Sequence, residues 1–165
     1  MGLVPARERE NSLKFIDLWS EVIKNSIDLD RLVEIANTAP KITSEIIPIW
    51  NKGNRQPVKI AVAYDEVFNF YYKENLESLE ANNAKIQYFS PLNDEDLPDA
   101  DGLYIGGGYP ELFSKELSQN KSMLTQIKEF HLENRPIFAE CGGLMYLMNS
   151  IHDDRQVGIY PYTSV

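Results

Sequence analysis

The chain has 165 residues, 43% of them hydrophobic, which is enough to bury the core of about one domain. Lys and Arg total 16 against 25 Asp and Glu, and the resulting net charge of -9 disfavours a nucleic-acid partner. A single cysteine excludes an intrachain disulfide and suits a reducing compartment, while no apolar run approaches the ~20 residues of a membrane-spanning helix. The opening Met1-Gly2-Leu3-Val4-Pro5-Ala6 has no secretory apolar core, and Ala6 stands where a myristoylation signal needs Ser or Thr. A soluble cytoplasmic chain is expected, with no membrane partner.

In chain order, Phe15, Ile16, Trp19, Val22 and Ile23 recur at helical spacing and predict an amphipathic helix over 12–26. Asp28 is a good N-cap for a second helix carrying Leu29, Leu32, Val33 and Ala36, ended near Pro40. Residues 40–57 scatter Pro40, Pro48 and Pro57 among Asn51, Gly53 and Asn54, which reads as an irregular connector and a domain boundary.

After Pro57 the texture changes. Val58-Lys59-Ile60-Ala61-Val62-Ala63-Tyr64 is a β-rich run, and Tyr72, Leu76 and Leu79 predict a helix over about 69–82. Residues 85–89 and 102–105 read as the next strands, the latter running into Gly106-Gly107-Gly108. Pro110 suits the first turn of a helix, Met123, Leu124, Ile127 and Phe130 mark another, and 136–140 is a fourth strand. Strands alternating with helices predict an α/β fold: an open, mostly parallel sheet with helices on both faces.

Ligands of such a sheet bind beyond the carboxyl ends of its strands. Three segments leave those ends: Asp65 to Tyr72, Gly106 to Glu111, and the turn at Cys141. The last is Pro136-Ile137-Phe138-Ala139-Glu140-Cys141-Gly142-Gly143-Leu144, an apolar strand running into a thiol, followed by a glycine pair and a helical pattern. A nucleophile on a strained strand-to-helix elbow requires small residues on both sides, and Ala139 and Gly143 meet that demand. The alternative is a buried structural cysteine, the commoner state of a free thiol. The complete elbow favours the nucleophile. The amide of Gly142, with that of Gly107 or Gly108, is the candidate oxyanion hole.

Other features carry less. No Gly-Lys-Ser/Thr follows the triple glycine, so it is not a phosphate-binding P-loop. Asp94, Glu95, Asp96, Asp99 and Asp101 read as a solvated loop and not a metal site. Phe68, Phe70, Tyr71 and Tyr72 read as core and helix packing. His131 falls at the foot of the fourth strand. His152 is expected past a helix of ten residues beginning at Cys141, so neither histidine is expected to reach the thiol.

Taken together, the motifs resemble the glutamine-hydrolysing cobyrinic acid a,c-diamide synthase family. Gly2 to Glu8 is similar to the end of its synthetase domain. Asp65-Glu66-Val67-Phe68-Asn69-Phe70-Tyr71-Tyr72 and Asn75-Leu76-Glu77 are similar to the opening of its class I glutamine amidotransferase domain. Asp101 to Leu112 and Ala139 to Leu147 are the most distinctive segments. The related enzymes acting on nickel sirohydrochlorin share this grammar.

The resemblance implies a flavodoxin-like amidotransferase fold, incomplete here, in residues 57–165, preceded in 1–56 by the helical tail of an ATP-dependent synthetase domain. It implies L-glutamine and a corrin-type tetrapyrrole as substrates, with ATP and magnesium bound by sequence outside this chain, and is compatible with a homodimer. Cys141 would attack the glutamine amide, with Gly107, Gly108 and Gly142 around the oxyanion. The family's catalytic histidine would follow residue 165, so the chain alone is expected to be inactive or nearly so. A cysteine-elbow hydrolase, with Glu140 beside the thiol, and a non-catalytic α/β interaction module are the competing readings.

Overall fold

The computed structural model describes residues 12–41, 56–153 and 158–161, and divides the chain into two compact units, Met1–Ile47 and Pro48–Val165. In the first, α1 spans Ser12–Ser26 and α2 spans Leu29–Asn37. The Asp28 carboxylate accepts the Arg31 N–H at 2.9 Å, satisfying one of the donors that a helix start leaves without a partner. Phe15, Ile16, Trp19, Val22 and Ile23 lie along α1 and remain exposed. The expected connector falls largely on residues 42–55, outside the described residues.

The second unit is built on four parallel strands in the order β3-β1-β4-β6. These are β1 (Val58–Ala63), β3 (Ala84–Phe89), β4 (Gly102–Ile105) and β6 (Ile137–Ala139). Helices connect them: α3 (Lys73–Ala81) leads into β3, while α4 (Ser114–Gln119) and α5 (Lys121–Leu132) lead into β6. Alternation along a strand sends successive side chains to opposite faces. Ala61, Ala63, Leu103 and Ile105 therefore share one face, and there they pack with Met123, Ile127 and Phe130 of α5 in the core. On the other face Ser78 and Leu79 of α3, with Ile60, Tyr104, Pro136 and Phe138, line a groove of about 480 Å³. The expected α/β architecture, with a parallel sheet and helices on both faces, is what the chain adopts.

Three local departures bear on the site. The helix expected from residue 69 begins only at Lys73, because Phe68–Phe70 forms a short strand, β2, antiparallel to β5 (Gly107–Gly108). Phe68 is fully buried, and a strand places it in the core beside Tyr146. Phe70 and Tyr72 are exposed, so only part of that aromatic cluster is core. Pro110 does open a helical turn as expected, but it is a 3-10 turn, Pro110–Leu112, that precedes α4.

The third departure concerns His152. The helix after Cys141, α6, is six residues long, Gly142–Leu147. Met148 is extended (φ -69°, ψ 170°), and Ser150–Asp153 (β7) pairs with Gly158–Pro161 (β8) as an antiparallel hairpin. The expected ten-residue helical spacing between Cys141 and His152 is therefore incorrect.

Candidate functional site

β6 delivers Cys141 to the carboxyl end of the sheet, and β4 delivers Gly106 beside it. Among the described residues three that are not glycine have positive φ: Asn83 (72°), Asn134 (58°) and Cys141 (52°). The asparagines follow helix ends, where Asn tolerates the left-handed region. Cys141, with ψ -116°, has no such dispensation. A side chain held in that region costs of order 1–3 kcal/mol and persists only where the surroundings over-determine it.

Those surroundings are backbone. Gly143 N–H donates to Gly106 O at 3.0 Å and to Glu140 O at 2.9 Å, closing the turn on itself and onto β4. A β-carbon on Gly143 would lie 2.2 Å from Ile105 O, and one on Gly142 would lie 2.5 Å from Gly108 O. Both contacts are with main chain, which cannot swing aside. The small residue expected at Gly143 thus has a physical cause, the close approach of two backbone segments.

The thiol is exposed, not packed in the core. Its β-carbon lies 3.7 Å from where a β-carbon on Gly107 would stand, so Cys141, Gly142, Gly107 and Gly108 come together. Gly142 is the first residue of α6, so its N–H has no partner within that helix. The arrangement can present main-chain N–H groups to an oxygen developing charge beside the sulfur.

The other candidates separate. His131 lies in the last turn of α5, at the opposite end of β6 from Cys141, and is exposed. The side chain of His152 lies outside the described residues. In the acidic loop, Asp99 pairs with Lys59 at 2.6 Å, and Asp101 accepts the Lys59 N–H at 2.7 Å. The ammonium of Lys59 holds the Asp99 carboxyl below its ordinary range. Among the described residues no three His, Cys, Asp or Glu side chains converge as a metal ion requires.

Three residues shape the site in roles the sequence did not assign, although Asp65 and Tyr71 lie in a segment read as leaving a strand end. Asp65, buried where β1 ends, accepts from Val67 N–H (2.8 Å), Phe68 N–H (3.0 Å), Ser90 Oγ (2.9 Å) and Leu92 N–H (3.0 Å). It ties the β1–β2 turn to the end of β3. The Tyr71 hydroxyl donates to Ala63 O and accepts Gly106 N–H at 2.8 Å, joining the ends of β1 and β4. Burial pushes its phenol well above the ordinary range. Tyr104 donates to Glu140 Oε1 at 2.5 Å, and burial together with that carboxylate raises its phenol to about 12. An Asp just past a strand was the available signal for the first; the tyrosine contacts join distant segments.

A family model described as the CobB/CobQ-like glutamine amidotransferase domain matches residues 59–164. Proteins named cobyrinate a,c-diamide synthase are similar over the whole chain: 78% identical in Methanobrevibacter smithii, 54% in Methanosphaera stadtmanae and 48% in Methanocaldococcus jannaschii. The chain spans only 36–37% of the length of these relatives. A crystal structure titled as a putative peptidase E protein from Listeria monocytogenes shares the fold, with a TM-score of 0.50 and 16% identity over 67% of this chain and 64% of that one. The match over most of the chain places this protein in the family of CobB/CobQ-like glutamine amidotransferase domains.

Proposed function

We propose that residues 57–165 form the front part of a glutamine-hydrolysing domain, and that Cys141 is its nucleophile. The observation that carries this reading is the exposed thiol at φ 52°, set against Gly107 and Gly108. The thiolate attacks the side-chain amide carbon of L-glutamine. The amide oxygen becomes an oxyanion facing the N–H of Gly142 and that of Gly107 or Gly108. Collapse of this intermediate breaks the C–N bond, releases ammonia and leaves a glutamyl thioester. Water then cleaves the thioester, returning glutamate and the free thiol.

Proton transfer needs a base, which we assign to a histidine following residue 165 in the full-length protein. Residues 1–56 are, on the same reading, the tail of an ATP-dependent synthetase domain. ATP and magnesium belong to the rest of that parent protein, where ATP would activate the a- and c-acetate carboxylates of a corrin-type ring for attack by ammonia. Similarity to the named synthases supports the corrin substrate. Nickel sirohydrochlorin is the alternative macrocycle.

The test is Cys141→Ser in the full-length protein. Glutamine-dependent amidation should fall by at least about 10³-fold, while amidation supplied with ammonium chloride persists. Retention of glutamine-dependent activity would overturn the reading. The isolated 165-residue chain should hydrolyse glutamine at or near background.

A further inference from the structure

Beside the elbow stand two tyrosines that the chemistry above does not use. Their rings meet edge to face, with centroids 5.0 Å apart and planes at 76°. The Tyr71 hydroxyl bridges the ends of β1 and β4. Its ring fills the space a Gly106 side chain would need, since a β-carbon there would lie 2.5 Å from Cε1. Tyr104 is wedged between Tyr71 and Phe138, whose ring centroid is 5.2 Å away.

Glu140 is the residue on which the strained turn hinges, and it is held at three points. Its N–H donates to Ile105 O at 3.1 Å, its carbonyl accepts Gly143 N–H at 2.9 Å, and its carboxylate accepts the Tyr104 hydroxyl at 2.5 Å. The first two bonds leave the side chain free to drag the peptide between Glu140 and Cys141. The third removes that freedom. A conformation costing of order 1–3 kcal/mol needs such redundancy to stay populated.

We propose that Tyr104 is a positioning residue for Cys141: its hydrogen bond to Glu140 locks the hinge of the elbow, with Tyr71 supporting its ring from behind. The proposal rests on the reading of Cys141 as the nucleophile. Glu140, which precedes Cys141 in the chain, has a rival role as an acid or base in its own right. Glu140→Gln separates the two, since an amide oxygen still accepts from Tyr104 but an amide cannot serve as an acid or base.

The experiment uses the full-length protein, with steady-state glutamine hydrolysis, Cys141 alkylation by iodoacetamide and thermal unfolding as readouts. Tyr104→Phe should lower kcat about ten- to a hundredfold with KM for glutamine within about twofold, because the thiol is misplaced while the substrate contacts remain. Alkylation should slow in parallel, with unfolding shifted by only a few degrees. Glu140→Ala should match it, the double variant should be no worse than Glu140→Ala alone, and Glu140→Gln should recover most of the loss.

Wild-type kcat in Tyr104→Phe, or losses that multiply in the double variant, would overturn the brace. Failure of Glu140→Gln to improve on Glu140→Ala would assign Glu140 to proton transfer and overturn it as well. Activity retained in Cys141→Ser would remove the nucleophile reading and the brace together, whereas an inactive Cys141→Ser beside a fully active Tyr104→Phe removes the brace alone.

Discussion

Gly142 and Gly108 approach so closely that a β-carbon on the first would lie 2.5 Å from the carbonyl oxygen of the second. This contact seats the start of α6 against β5, and it puts the main chain of both residues beside the thiol.

Gly142→Ala forces that contact apart. Relieving a backbone overlap of this kind costs about 1–3 kcal/mol, and the displaced N–H no longer faces the oxyanion. Glutamine turnover in the full-length protein should fall about a hundredfold, with an ordinary cooperative unfolding transition at lower temperature. Turnover near wild type would show that this N–H does not serve the reaction.

The Asp65 carboxylate is a structural tie whose loss is measurable without an assay. Asn in its place offers one accepting oxygen instead of two, stranding the donors of Ser90 and Leu92 or of Val67 and Phe68. Asp65→Asn should destabilise the fold by ~1.5–3 kcal/mol in denaturant titration. A shift under half that would mean these donors find other partners.

Tyr104 gives the protein a sign-specific response to alkali. Its folded phenol titrates at about 12 against an ordinary 10.0, so the unfolded chain gives up this proton first. The stability tied to the neutral phenol is whole below pH 10 and is lost as pH rises towards 12. Tyr71 acts in the same direction. Absorbance titration at the phenolate band should show late-ionising tyrosines, and Tyr104→Phe should flatten the loss of stability across that window. A steeper loss in the variant would contradict the sign.

The two histidines of the chain offer a check on the base. His131→Ala and His152→Ala in the full-length protein should each keep kcat within about threefold. A collapse of activity in His152→Ala would bring the base into this chain, a position the hairpin of β7 and β8 no longer excludes on grounds of helix length.

Much of this architecture was readable because it depends on local pattern. Strand runs such as Val58–Ala63 and the helical spacing of Met123, Ile127 and Phe130 report which face is buried. The elbow was readable for a different reason: the contacts at Gly142 and Gly143 admit no side chain, so the sequence must carry glycine there. What escaped was non-local. Strand β2 is three residues long, too short for period two to register, and its partner is a glycine pair. The bond from Tyr104 to Glu140 joins residues 36 apart, and nothing in either neighbourhood announces the other. The apolar run Leu144, Met145, Leu147 invited a longer helix than Met148 permits.

The most direct measurement is covalent. Full-length protein incubated with a diazoketone analogue of glutamine, digested and analysed by mass spectrometry, should carry the analogue, less dinitrogen, on the peptide containing Cys141. Excess glutamine should protect that peptide. An unmodified Cys141, or a label carried by any other residue, would contradict the account.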